Sequence, residues 1–221
     1  IDAPVTEYYR IADDAMELMK EGQFSEALIQ WQDALLRSPA EPLAHNNLGV
    51  ALAETGRVDE GISHYRQALE LDPMYPDAHN NLAEALAGKG RLDEAVTEFE
   101  KVLELDPGHA DALSNLGAVL AQQGKIDRAL PHLRRAVQYR PDAPHFRKNL
   151  AMALAAGDRI EEALRSLEEG VRINGGRDPE LLDLLGWTLF SFELARGLEK
   201  TERAFIIGND DVCECQGGKT E

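Results

Sequence analysis

The chain has 221 residues, 43% of them hydrophobic and only 6% aromatic, which allows a continuous thin core and argues against large aromatic ligand cages. Forty acidic against 23 basic residues give a formal net charge of -17, a field that repels nucleic acid and anionic membrane and favours a basic or neutral partner. No run approaches the roughly 20 apolar residues that span a bilayer, and residues 1–10 lack the basic start and apolar stretch of a signal peptide.

The sequence begins at Ile1 without an initiator Met, so it reads as a processed product or an excised fragment. The expected protein is soluble and cytoplasmic, or periplasmic if a preceding signal or anchor was removed. From about Tyr8 one pattern recurs. Pro39, Pro73, Pro107 and Pro141 are each 34 residues apart, and Gly22, Gly56, Gly90 and Gly124 keep the same interval. A repeat of that length predicts stacked supersecondary units that bury their apolar faces against one another.

In chain order the predicted units are 8–41, 42–75, 76–109, 110–143 and 144–178, each read as two helices. In 110–143, Ala112, Leu113, Leu116, Leu120 and Ala121 recur at helical spacing, Gly124 ends that helix, and Ile126, Ala129, Leu130, Leu133 and Ala136 give the second. Glycine enters left-handed geometry without a side-chain penalty, and proline disfavours helix at the residue before it, so both mark joints. Ser25, Asp59, Asp93 and Asp127 follow the glycines and are expected to cap the second helices. Small residues (Ala27, Gly61, Ala95, Ala129, Ala163) share one register and bulky ones (Trp31, Tyr65, Phe99, Leu133, Leu167) another, which predicts an interdigitated core. In the fifth unit the turn glycine, Gly157, falls one residue early. Residues 179–207 are expected to form a capping helical pair, and 208–221 a polar tail. Cys213 and Cys215 in that tail are too close for a relaxed disulfide and too few for a structural zinc site.

These residues resemble the tetratricopeptide repeat. The run Leu116-Gly117, Leu120, Gly124, Ala129, Leu133, Ala136, Pro141 follows that family's pattern, as do Leu82-Ala83, Leu86, Gly90, Ala95, Phe99, Val102, Pro107 and Leu48-Gly49, Leu52, Gly56, Gly61, Tyr65, Ala68, Pro73. The resemblance covers five repeats and a degenerate C-terminal unit. It implies an all-α fold, a right-handed α-solenoid of antiparallel helix pairs, with the first helix of each pair on the concave surface. The family's aromatic at the fourth repeat position is weak here, where His45, His79, Leu113 and Arg147 stand.

Asn47, Asn81, Asn115 and Asn149 also keep the 34-residue interval, on first helices where asparagine is a poor helix former. A side-chain amide offers a donor and an acceptor to an extended backbone, and the resemblance extends to repeat-bearing sugar-transferring enzymes whose groove holds polypeptide on such a ladder. The other reading of the ladder is that its amides bond adjacent helices. Leu43, Asp77, Asp111 and His145 lie one turn before the ladder, Val50 and Glu84 about one turn after it, and Lys148 directly beside Asn149. The expected ligand is therefore a protein or extended peptide with basic and apolar residues. The family's carboxylate clamp is disfavoured, because Leu43, Asp77, Asp111 and His145 stand where its cations belong. No catalytic set, metal site or cofactor motif assembles, so the chain is read as a noncatalytic interaction scaffold. The alternatives are the substrate-recruiting region of a larger enzyme such as a glycosyltransferase, and a structural self-association module.

Overall fold

The structure, a computed structural model, describes residues 3–194. The second predicted capping helix from Ala195 to Ile207, the tail 208–221 and both cysteines lie outside the described residues. Ten helices are delimited: α1 (Ala3–Lys20), α2 (Phe24–Arg37), α3 (Pro42–Glu54), α4 (Val58–Leu71), α5 (Pro76–Gly88), α6 (Leu92–Leu105), α7 (Ala110–Gln122), α8 (Ile126–Tyr139), α9 (Pro144–Ala156) and α10 (Ile160–Asn174). A further helical run occupies 179–194, and no strand occurs among the described residues. The fold is an all-α solenoid of antiparallel helix pairs. The chain divides into two compact units, Ile1–Arg140 and Pro141–Glu221.

From α3 onward the helix boundaries repeat with the sequence, because the same chemistry starts and stops each helix. Pro42, Pro76 and Pro144 occupy the first turns of α3, α5 and α9, where the missing N–H costs nothing. At the other end, Gly56, Gly90 and Gly124 take φ of 83°, 76° and 75°. The N–H three positions past the last helical residue then reaches back to a leucine carbonyl: Arg57 to Leu52 at 2.8 Å, Arg91 to Leu86 at 2.9 Å, Lys125 to Leu120 at 2.9 Å. Those bonds satisfy carbonyls that the helix end leaves open.

Two local expectations need correction. In the fifth repeat the left-handed residue is Asp158, at φ 58°, while Gly157 stays at φ -93°. The turn therefore kept its register, and aspartate, one of the few side chains that tolerate this region, stands in for glycine. The acidic residues after the turns are not caps either. The cap positions are Arg57, Arg91 and Lys125 without side-chain cap bonds, and Asp59, Asp93 and Asp127 lie inside the first turns. There they favour the helix through its dipole. Asp59 accepts from Lys89 at 3.0 Å and Asp93 from Gln123 at 3.0 Å, so these carboxylates tie one turn to the next.

Within the Ile1–Arg140 unit the core is the stripe of small and large residues that the sequence predicts. Trp31, Phe99, Leu133 and their alanine neighbours are fully buried, and Tyr65 is 3% exposed. A Cβ on Gly49 would stand 2.6 Å from the Tyr65 ring, and one on Gly61 would stand 2.8 Å from the Gly49 carbonyl oxygen, so α3 and α4 cross at glycine on both sides. In the Pro141–Glu221 unit, α9 and α10 pack around Phe146, Leu154 and Leu167, and Leu181 of the 179–194 run is buried.

Candidate functional site

In the first unit α3 packs on α5 and α5 on α7, whereas the second helices α4, α6 and α8 make no comparable contact among the described residues. First helices thus form the tighter layer, and one face of that layer carries Asn47, Asn81 and Asn115. All three are half-buried. Asn149, Lys148 and His145 lie on α9 in the second unit, where Lys148 Nζ pairs with Glu180 at 2.6 Å.

The amides are partly committed. Asn81 Nδ2 donates to Asn46 Oδ1 at 2.9 Å across the repeat joint, and Asn46 Nδ2 donates to Asn47 Oδ1 at 3.2 Å. One repeat on, Asn115 Nδ2 and Asn80 Nδ2 both donate to Glu84 Oε1, at 2.7 and 2.9 Å. The buried row formed by Asn46, Asn80 and Ser114, one residue before the ladder, was not assigned a role from sequence. Its signal was present in the identical spacing of Asn46 and Asn80. Through these bonds Asn81 and Asn115 each reach the preceding repeat. They use only half of each amide, however: Oδ1 of Asn81 and of Asn115 makes no hydrogen bond among the described residues.

Around the ladder, Leu43, Asp77 and Glu84 are exposed, and Val50 is half-buried. Asp111 pairs with Arg140 at 3.3 Å. Glu84 reaches solvent, yet the protein around it also shields it from water. That burial raises its pKa above the usual carboxylate value, the Asp111 charge adds to the rise, and the bonds from Asn80 and Asn115 oppose it. Val50, Asn81 and Glu84 are brought together in a pocket of about 320 Å³ between α3 and α5. Asp77, Asp111 and Leu43 do not line it.

The histidines at the fourth repeat position turn away from one another, each toward its own second helix. His79 Nδ1 meets Glu98 at 2.6 Å and its Nε2 meets the Pro73 carbonyl at 3.1 Å. His45 Nδ1 meets His64 Nδ1 at 3.1 Å and its Nε2 meets the Pro39 carbonyl at 3.0 Å. Among the described residues no group of three or more His, Cys, Asp or Glu is placed to hold a metal ion. No helix among them is long and apolar enough to cross a membrane.

Tetratricopeptide-repeat models match residues 75–142 and 120–187, and a TPR-repeat model matches residues 51–90. The chain belongs to the tetratricopeptide repeat family. Among solved structures, a thermophilic TPR protein of Thermus thermophilus, TTC0263, aligns with a TM-score of 0.69 at 23% identity over 83% of this chain and 99% of its own. PilF of Pseudomonas aeruginosa aligns with a TM-score of 0.74 at 20% identity over 98% of this chain and 96% of its own. YrrB, described as a TPR protein with an unusual peptide-binding site, aligns with a TM-score of 0.65 at 18% identity over 87% and 98%. At these identities the likeness is one of fold. No curated protein matches the chain significantly in sequence. The tetratricopeptide framework accounts for the side on which the ladder lies: helix pairs repeat without insertion, so any residue type kept at one repeat position becomes a row on one face.

Proposed function

We propose that the first-helix face of the Ile1–Arg140 unit is a noncatalytic groove that binds an extended polypeptide, with Asn47, Asn81 and Asn115 contacting its main chain. Asn149 would serve in the same way on α9. The observation that carries this reading is the division of labour within the amides. Nδ2 of Asn81 and Asn115 is held by the neighbouring repeat, which orients the side chain, and Oδ1 is left as an acceptor. An extended strand presents backbone N–H donors that suit such acceptors without regard to sequence. Family membership supports a binding role, since repeat solenoids create extended concave surfaces. The peptide-binding site ascribed to YrrB supports it by analogy of fold. Leu43, Val50, Asp77, Glu84 and Asp111 would colour the groove, favouring partners with apolar and basic side chains.

The test is a displayed library of random 12-residue peptides selected on the intact protein, followed by calorimetry with Asn81→Ala/Asn115→Ala. Loss of two oriented acceptors is expected to weaken the selected peptides by about tenfold or more, with helicity retained. Unchanged affinity in the double variant would overturn the groove. The same substitutions also remove two bonds between repeats, so a small drop in unfolding midpoint is expected alongside.

A further inference from the structure

The pocket between α3 and α5 is chemically unlike the rest of the groove. Its volume of about 320 Å³ lies at the lower end of the range for small-ligand pockets, roughly 300–1,000 Å³. Val50, Ala53, Val58 and Ala85 line it with apolar side chains, and Glu54, Tyr65, Asn81, Glu84 and Lys89 line it with polar ones. Tyr65 is only 3% exposed, and its hydroxyl makes no hydrogen bond among the described residues. Glu54, Glu84 and Tyr65 line the same pocket. Neither Glu54 nor Glu84 is in an ion pair among the described residues, and Lys89 at the rim is held by Asp59 at 3.0 Å.

A pocket lined by apolar side chains, two carboxylates outside any ion pair and a hydroxyl without a hydrogen bond among the described residues matches a long side chain with a cationic tip. Two carboxylates without a third ligand do not suit a metal ion. We infer that this pocket receives a Lys or Arg side chain of the bound peptide, its methylenes against Val50, Ala53 and Ala85 and its cation between Glu54, Glu84 and Tyr65 Oη. This assignment rests on the groove reading above and adds the selectivity that main-chain contacts lack. It is also particular to one joint. In the next repeat the equivalent positions hold Gly88 for Glu54, Phe99 for Tyr65 and Ala118 for Glu84, so hydroxyl and carboxylates are all replaced. Gly88 matters at the first joint too. It lines the pocket, and a Cβ there meets nothing within 4 Å, so a larger side chain can be introduced without a clash.

The probes are acetylated and amidated nine-residue Ala/Ser peptides with a central Lys, Arg or norleucine, titrated by calorimetry. One charge-assisted hydrogen bond predicts that the Lys and Arg peptides bind about tenfold or more tighter than the norleucine peptide. Glu54→Gln and Tyr65→Phe should each shrink that ratio, and Gly88→Leu, which fills the pocket from a helix position that tolerates Leu, should abolish it. Glu54→Gln and Tyr65→Phe should leave norleucine-peptide affinity unchanged, whereas Gly88→Leu also takes away the apolar contacts of norleucine and should bring all three peptides to a common, weaker affinity. Equal binding of the three peptides, or a ratio that survives Gly88→Leu, overturns the pocket while leaving the groove intact if the norleucine peptide still depends on Asn81. A separate arm uses Nα-acetyl-lysine methylamide, followed by NMR at Tyr65. If that probe binds and Gly88→Leu blocks it, the pocket stands even where peptides gain nothing from their main chain, and the groove reading alone falls.

Discussion

Repeats 42–75 and 76–109 have helices of equal length at equivalent positions, yet they are held together differently where their two helices meet. In the first, Gly49 and Gly61 bring the backbones close and Tyr65 covers the crossing. In the second, the equivalent positions hold Ala83, Ala95 and Phe99, all buried. The rungs at the fourth repeat position differ as well: His45 meets His64 in one repeat, and His79 meets Glu98 in the other. Shared prolines, turn glycines and leucines therefore set the backbone, while a few contact positions decide how each repeat answers to size and to pH. The same few positions put Glu54, Tyr65 and Glu84 at one joint and Gly88, Phe99 and Ala118 at the next.

The largest expected effect comes from exchanging the small residues. In Gly61→Ala the new Cβ would press on the Gly49 carbonyl oxygen, a backbone atom that moves only if α3 and α4 separate. Overpacking of this kind costs about 1–3 kcal/mol. The reciprocal Ala95→Gly removes no such pressure and should cost about 0.5–1 kcal/mol through helix entropy. Urea unfolding of the two variants measures the asymmetry, and equal losses would show that the crossing distance is not set by these glycines.

Acidification should separate the two repeats next. The Pro39 carbonyl only accepts, so His45 Nε2 carries the proton, its Nδ1 is an acceptor, and His64 Nδ1 donates to it. Burial first, and then the His45 charge, hold the His64 pKa below its usual 6.5. A depressed histidine makes the unfolded chain the better proton acceptor, so this repeat loses stability as pH falls below 6.5. Glu98 behaves oppositely. Burial pushes its pKa up, but bonds from His79 and Lys101 outweigh that and leave it below 4.5, so its contribution persists until pH falls through that lower value. Between these limits amides of α3 and α4 should lose hydrogen-exchange protection while those of α5 and α6 keep theirs. His64→Glu gives the first rung the chemistry of the second and should remove the difference.

Much of this architecture was legible because a 34-residue period turns weak local signals into strong ones. Pro42, Pro76 and Gly90 mean little singly, but in register they mark helix ends. The same logic explains the error at the fifth turn. Residue type pointed to Gly157, whereas the register pointed to Asp158, and register prevailed because neighbouring helices fix where the chain must reverse. What stayed hidden depends on contacts across the period. The commitment of Asn81 to Asn46, or the meeting of Tyr65, Glu54 and Glu84, requires knowing how far one first helix sits from the next. Tyr65 looked like a core aromatic equivalent to Phe99, and its hydroxyl acquires meaning only once its surroundings are seen.

The smallest effect concerns Glu84, whose equivalent in the preceding repeat is Val50. Its pKa is raised in the folded chain, first by burial and then by Asp111, so the ionised carboxylate opposes folding. The sign follows directly: the opposition is absent at pH values below the usual 4.5, where both states are protonated, and grows as pH rises through the folded value. Glu84→Gln keeps an oxygen for Asn80 and Asn115 but carries no charge. Its urea midpoint should therefore match that of the parent at about pH 4 and exceed it slightly at pH 7. Parallel midpoints across that range would mean that solvent already screens the carboxylate. A lysine peptide seated in the pocket reverses the argument, because a cation beside Glu84 lowers its pKa and makes the ionised form the favoured one. With that peptide bound, the parent should overtake Glu84→Gln at pH 7, and with the norleucine peptide it should not.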